Sequence, residues 1–202
     1  MIDQGSPEWK ALRLGKLTAS RMADVLATTK TGMSASRKNY LAQLVAERLT
    51  GELGECFTSG AMAWGTDHEP LARAEYEILH DTFVEQVPFV DHPQIAMCGA
   101  SPDGLAGEDG LVEIKCPNTS THIDYLLSKK PPAKYIPQMA LQLACTGRKW
   151  CDFVSYDPRM PEKHRLFVVR YTPDADYLQK IEDEAMLFLN EVEATIKQLE
   201  AA

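Results

Sequence analysis

Asp103, Glu113 and Lys115 are the residues whose types and spacing suit chemistry on a phosphate ester. They lie in two stretches, Ala100-Ser101-Pro102-Asp103-Gly104-Leu105 and Leu111-Val112-Glu113-Ile114-Lys115-Cys116-Pro117. Side chains alternate along an extended strand, so Glu113 and Lys115 point one way while Ile114 faces the core. Pro102-Asp103-Gly104 reads as a turn ahead of a strand that pairs with 111–115 through the Gly107–Gly110 turn. That hairpin brings two carboxylates together, and carboxylates so close repel unless a cation lies between them. A few hard oxygen donors with room for water suit Mg²⁺. Lys115 beside them can bind a phosphate and help hold or deprotonate an attacking water, while metal ions stabilise the transition-state charge.

Glu-x-Lys alone is a weak signal, and the chain holds a second copy in Glu8-Trp9-Lys10. That copy has a helical context and no aspartate turn before it. For the 113–115 copy, the plain alternative is a surface turn with an edge-strand ion pair. Gly65-Thr66-Asp67-His68-Glu69-Pro70 places Glu69 on a helical segment that could supply a third carboxylate or merely a helix-capping acid. Gln138 and Gln142 stand one helical turn apart on one face, as partners of the site or as core-edge amides. Arg13 and Ser20 offer a guanidinium and a hydroxyl at a helix start, where a phosphate is well held; ordinary surface residues would look the same.

The elements that must position these groups alternate in type. Ser6 caps a helix from Pro7 to Leu14, a second short helix starts near Ser20, and Gly32 breaks the chain. Ser34 or Ser36 opens a helix with Tyr40, Leu41, Leu44, Val45 and Leu49 on one face, closed by Gly51. After a 51–60 loop, a helix runs from about Met62 to Leu79, with Pro70 kinking it or opening its second half. Residues 83–89, 95–100 and 111–115 read as strands, 123–127 and 136–145 as helices, and 150–156 and 165–171 as strands. The basic, proline-broken Lys129-Lys130-Pro131-Pro132 separates the two helices. From Asp174 onward, Ile181, Ala185, Phe188, Val192, Ile196 and Leu199 mark a long amphipathic helix. The fold class is α/β, bordering on α+β, with one central mixed sheet flanked by helices.

A chain of 202 residues, 45% hydrophobic and 25% charged, can bury a core without staples. No apolar run has the length to cross a bilayer, and the N-terminus lacks the regions of a signal peptide, so the expectation is a soluble cytoplasmic protein. Cys56, Cys98, Cys116, Cys145 and Cys151 contain no C-x-x-C pair and read as reduced thiols rather than disulfide or cluster ligands. The five histidines form no paired ligand pattern. A net charge of −8 argues against binding nucleic acid by bulk attraction. The charge is uneven, however: residues 1–50 hold eight Lys/Arg against four Asp/Glu, and residues 172–202 hold eight acids against two lysines.

The ordered set Arg13 and Ser20, Gly65 to Glu69-Pro70, Ser101-Pro102-Asp103-Gly104, Glu113-Ile114-Lys115-Cys116-Pro117, Gln138 to Gln142, and Tyr156-Asp157-Pro158-Arg159-Met160 resembles the YqaJ-type viral recombinase exonucleases. Phage lambda exonuclease is their best-known member, within the PD-(D/E)XK nuclease superfamily. The resemblance spans roughly residues 6–160. It implies a restriction-endonuclease-like core and an exonuclease, while chain length and the run of elements give one domain over 1–202, with an N-terminal helical region over 1–80, a catalytic sheet core over 81–171 and a C-terminal helix over 172–202. It also implies a 5′→3′ exonuclease that digests one strand of linear double-stranded DNA from 5′-phosphorylated ends, leaving a 3′ overhang for recombination. By the same resemblance, Asp103, Glu113 and the Ile114 carbonyl hold two Mg²⁺ ions, with Mn²⁺ as a substitute and Glu69 nearby, directly or through water. Lys115 is then the catalytic lysine, Gln138 orients it or the water, and Arg13, Ser20 and Ser101 bind phosphate. The implied partners are DNA ends, two further copies in a ring-shaped trimer and a single-strand annealing protein, in a phage- or prophage-carrying bacterial cytoplasm. A restriction-like or structure-specific endonuclease and a non-catalytic DNA-binding module are the competing expectations.

Overall fold

The computed structural model describes residues 2–30, 32–54 and 59–201. Helix α1 (Pro7–Arg13) is capped by Ser6, whose side chain accepts from the Trp9 amide. Strand β1 (Leu17–Thr18) leads through a 3₁₀ turn, Ala19–Arg21, into α2 (Met22–Val25). The helix expected near Ser20 is therefore two short pieces. A small hairpin, β2 (Thr28–Thr29) with β3 (Gly32–Met33), was not legible in the sequence. Helix α3 (Ala35–Thr50) takes Ser34 as its cap and ends at left-handed Gly51. Helix α4 (Gly60–His80) runs unbroken through Pro70, which neither ends it nor opens a second helix. The expected 51–60 loop and Cys56 fall partly or wholly outside the described residues.

Only Val84–Glu85 of the stretch 83–89 is strand (β4); β5 (Val90–Asp91) begins just after it and goes to a different sheet. Strands β6 (Cys98–Ala100), β7 (Gly104–Ala106) and β8 (Gly110–Lys115) follow. Helix α5 (Thr119–Ser128) is capped by Asn118 and is longer than expected, and α6 (Ile136–Thr146) follows a 3₁₀ turn at Ala133–Tyr135. Strands β9 (Trp150–Tyr156) and β10 (Leu166–Tyr171) precede α7 (Ala175–Glu200), capped by Asp174.

The central sheet is five-stranded and mixed, in the order β10-β9-β8-β7-β4, with β8 and β9 parallel and the other pairs antiparallel. A separate three-stranded sheet, β1-β6-β5, takes the stretch expected to be a strand near 95–100. The α/β class with a central mixed sheet is thus observed, with two satellite sheets added.

Strand β8 is covered on both faces, so apolar residues occupy both sides of it. Val112 and Ile114 pack with Ala72 and Tyr76 of α4 and with Val154 and Tyr156 of β9. Leu111 packs on the opposite face with Tyr125, Met139, Leu143 and Phe153. A third core joins α2, α3, α6 and α7 around Tyr40, Leu44, Leu141, Ile181 and Phe188. Among the described residues, no helix is long and apolar enough to cross a membrane, and Cys98, Cys116, Cys145 and Cys151 are free thiols.

Candidate active site

Strand β7 pairs with β8 only from Gly104↔Val112 to Ala106↔Gly110, so β8 continues to Lys115 with that edge open. Asp103, the residue before β7, sits where the next ladder partner would be. Its Oδ2 accepts a hydrogen bond from the Ile114 amide at 2.6 Å. The carbonyl of a strand residue leaves on the same edge as its own N–H, so the Ile114 carbonyl turns to this open edge as well. Gly104 lets β4 approach: a Cβ there would lie 2.1 Å from Val84 Cγ1. The need for glycine at Asp103-Gly104 is therefore one of space, not of turn dihedrals.

Glu113 points away from Ile114, toward α6, and is fully buried. A buried carboxylate is costly unless several donors compensate it. Gln138 Nε2 donates to Glu113 Oε1 and Gln142 Nε2 to Oε2, each at 2.6 Å. The Lys115 ammonium pairs with the same Oε1 and lies 4.0 Å from Asp103 Oδ2. The four-residue spacing on α6 aims both amides at one carboxylate. Gln138 thus contacts Glu113 rather than Lys115, and Gln142 is an equal member of the clamp.

The electrostatics follow from this crowding. Burial, with Glu113 next, pushes the Asp103 carboxyl well above the usual carboxylate range. Burial opposes the Lys115 charge, yet Glu113 and then Asp103 hold the ammonium above its ordinary range. Glu69 approaches from α4, on the other face of the sheet, and its carboxylate is engaged by Arg73. Burial raises its carboxyl, against the pull of Arg73 and Lys115. It therefore senses the site electrostatically, and no hydrogen bond joins it to Asp103, Glu113 or Lys115 among the described residues. Cys116, beyond the lysine, has its thiol pushed up to about 12 by burial and by Glu69.

The three expected phosphate residues gather at one end of the small sheet. Parallel pairing of Leu17↔Cys98 and Thr18↔Gly99 delivers Ser20 and Ser101 two residues beyond the last pair, at the same end. Ser101 Oγ donates to the Pro88 carbonyl at 2.7 Å and accepts from Trp9 Nε1 at 2.9 Å. The Arg13 guanidinium lies 3.9 Å from the Trp9 ring centroid. Ser20 is exposed and shares a hydrogen bond with Thr18. Asp103 follows Ser101 by two residues, so this polar end continues into the carboxylate site. Trp9, which joins Arg13 to Ser101, is the residue that spacing alone did not mark. The Glu8-Trp9-Lys10 copy lies in α1, as its helical context implied.

The oxygen donors fit a hard divalent cation. A carboxylate has about four acceptor sites; Gln138, Gln142 and Lys115 leave Glu113 room for one more partner, and the Ile114 amide occupies a single site on Asp103. A cation between the two would also offset the burial and the Glu113 charge that raise Asp103. Among the described residues, no three His, Cys, Asp or Glu side chains converge as a metal-holding group. Such an ion would thus rest on two carboxylates, a carbonyl and water, the coordination Mg²⁺ favours over an all-protein cage.

The family described as the YqaJ-like viral recombinase domain matches residues 8–149. Two crystal structures of LHK-Exo, an alkaline exonuclease from Laribacter hongkongensis, are 51% identical to this chain. Each covers 97% of both chains, with a TM-score of 0.91 for the complex with dAMP and 0.90 for the other. A phage related exonuclease from Haemophilus somnus 129PT shares the fold at 13% identity, covering 91% of this chain and 96% of its own, with a TM-score of 0.74. Comparison with the curated proteins finds no match.

Proposed function

Because the chain belongs to the YqaJ-like viral recombinase family and matches alkaline exonuclease structures over nearly its whole length, we propose that it is a Mg²⁺-dependent 5′→3′ exonuclease. In this reading it digests one strand of linear double-stranded DNA from a 5′-phosphorylated end, releases mononucleotides and leaves a 3′ overhang for strand annealing. The observation that carries the reading is the meeting of Asp103, Glu113 and Lys115 at the open edge of β8. The dAMP in one LHK-Exo structure is a DNA mononucleotide, the kind of product such a reaction releases.

Asp103, Glu113 and the Ile114 carbonyl would hold Mg²⁺, or Mn²⁺ in its place, and Glu69 would act on the ions through water. When bound, two such ions lower the pKa of water and offset charge on the attacking and leaving oxygens. Gln138 and Gln142 hold Glu113 in one orientation, so its carboxylate needs no reorganisation as the reaction proceeds. Lys115 stays protonated beside both carboxylates and binds the scissile phosphate. Arg13, Ser20 and Ser101 take the terminal 5′-phosphate, and Trp9 fixes the first and last of them relative to Asp103. A ring-shaped homotrimer and a single-strand annealing protein are the assembly and partner that the family membership suggests.

A mononucleotide-release assay tests this. Linear duplexes with 5′-phosphate or 5′-hydroxyl ends, and a closed circular duplex, are incubated with Mg²⁺ or EDTA. The expected result is Mg²⁺-dependent release from linear DNA, faster with the 5′-phosphate. Cleavage of the circle, or full activity in Asp103→Ala, overturns the reading.

A further inference from the structure

Between Tyr125 and Cys151 the chain contains no acidic residue but five bases: Lys129, Lys130, Lys134, Arg148 and Lys149. In a protein of net charge −8 this is an exceptional stretch, and it includes both glutamines of the Glu113 clamp. Arg148 and Lys149 are committed, the first to the Gly107 and Gly110 carbonyls and the second to Asp109. Lys129, Lys130 and Lys134 are exposed, and among the described residues none is paired with a carboxylate. Lys16, Arg165 and Arg170, by contrast, are each held by one.

Lys134 is placed beside the catalytic lysine, and Lys129 and Lys130 precede Lys134 by five and four residues. The Tyr135 ring has Lys115 Nζ 5.4 Å and Lys134 Nζ 4.7 Å from its centroid. The ring is itself stacked on buried Phe153, at 5.5 Å between centroids. Lys129 closes α5 in the left-handed conformation. Pro131, Pro132 and Pro137 limit the backbone freedom of the turn that carries Lys134. Successive phosphates of one DNA strand are about 3.4 Å apart along the axis, so this turn is within reach of a phosphate a few nucleotides from one held at Lys115.

Resting on the exonuclease reading, we propose that Lys129, Lys130 and Lys134 form a phosphate-backbone contact of the bound DNA, adjacent to the cleavage site and distinct from the Arg13, Ser20 and Ser101 end. The contact acts on the backbone, so it adds affinity without sequence preference.

Binding of a 5′-phosphorylated duplex to the full chain, in Ca²⁺ to suppress turnover, is measured across a salt series. Wild type is compared with the triple variant Lys129→Gln/Lys130→Gln/Lys134→Gln and with Lys180→Gln/Lys197→Gln, which removes two exposed lysines from α7. Each duplex phosphate contact contributes about 0.9 to the slope of log affinity against log salt. The triple variant should lose about 2 to 3 from that slope, equally for unrelated sequences, and the α7 variant should lose nothing. An unchanged slope in the triple variant, with wild type binding and digesting DNA, overturns this contact alone. Absence of both binding and digestion in wild type overturns the exonuclease reading and this contact with it.

Discussion

Replacing Gln142 by Met separates the site's positioning from its folding. The Gln142 side chain is fully buried and donates to Glu113 Oε2 at 2.6 Å, while its own Oε1 has no partner. The amide cannot turn round, since that would set its oxygen against a carboxylate oxygen. Methionine keeps the length and the apolar stem but removes both polar atoms. Loss of a hydrogen bond to a charged group costs about 1.5–3 kcal/mol, and removal of a buried unsatisfied carbonyl returns about 1–3 kcal/mol. The terms oppose each other, so folding stability should move by about 2 kcal/mol or less in either direction. Catalysis has no such compensation: the carboxylate keeps only Gln138 and Lys115, both on Oε1. If the bond's full value serves orientation, kcat/KM falls by about 10- to 150-fold, since 1.4 kcal/mol is tenfold. Mononucleotide release and chemical denaturation of the same preparation give the two readouts. A wild-type rate, or a rate loss matched by an equal loss of stability, refutes the reasoning.

Gly104→Ala drives a methyl into Val84 and should cost about 1–3 kcal/mol by overpacking, with a lowered Tm and a weaker site, because β4 or Asp103 must shift. Burial opposes the charge on Asp157, yet bonds from Arg159 and Thr119 hold its carboxyl at about 2. The unfolded value of an aspartate is about 3.9, so this stabilisation is present above that pH and is lost as pH falls toward 2. The drop in Tm between pH 6 and pH 3 should be smaller in Asp157→Asn than in wild type. Arg13→Ala should reduce the rate ratio between 5′-phosphate and 5′-hydroxyl ends and leave release from 5′-hydroxyl ends nearly unchanged.

The meeting of Asp103, Glu113 and Lys115 was legible because strand alternation and the hairpin-sized gap are local facts: they place Glu113 with Lys115 and bring Asp103 to the adjoining edge. The helices followed from caps and periodicity, with Ser34, Gly51 and Asp174 serving as the stop and start signals they resemble. That only Val84–Glu85 of 83–89 would be strand, and that β4 and β5 would join different sheets, was not legible, since two-residue strands gain their stability from the strands they pair with rather than from their own sequence. Helix α4 passes through Pro70 because packing of Ala72 and Tyr76 against β8 and β9 outweighs a lost backbone bond. Gln142 was visible as an amide one turn from Gln138, but only the path of α6 across Glu113 gives the pair a shared target. The link from Arg13 through Trp9 to Ser101 joins residues 92 apart and has no local signature.

The aspartate that bonds to the Ile114 amide occupies the place of a neighbouring strand. A β-edge with unpaired amides and carbonyls is a template on which another chain can add itself. Asp103 therefore also guards the sheet against strand addition by another chain. An inactive form made for trapping DNA is consequently better built as Asp103→Asn, whose amide oxygen can still accept from Ile114, than as Asp103→Ala, which leaves the edge bare. A preparation of the alanine variant that self-associates would then report on the uncovered strand, not on the DNA.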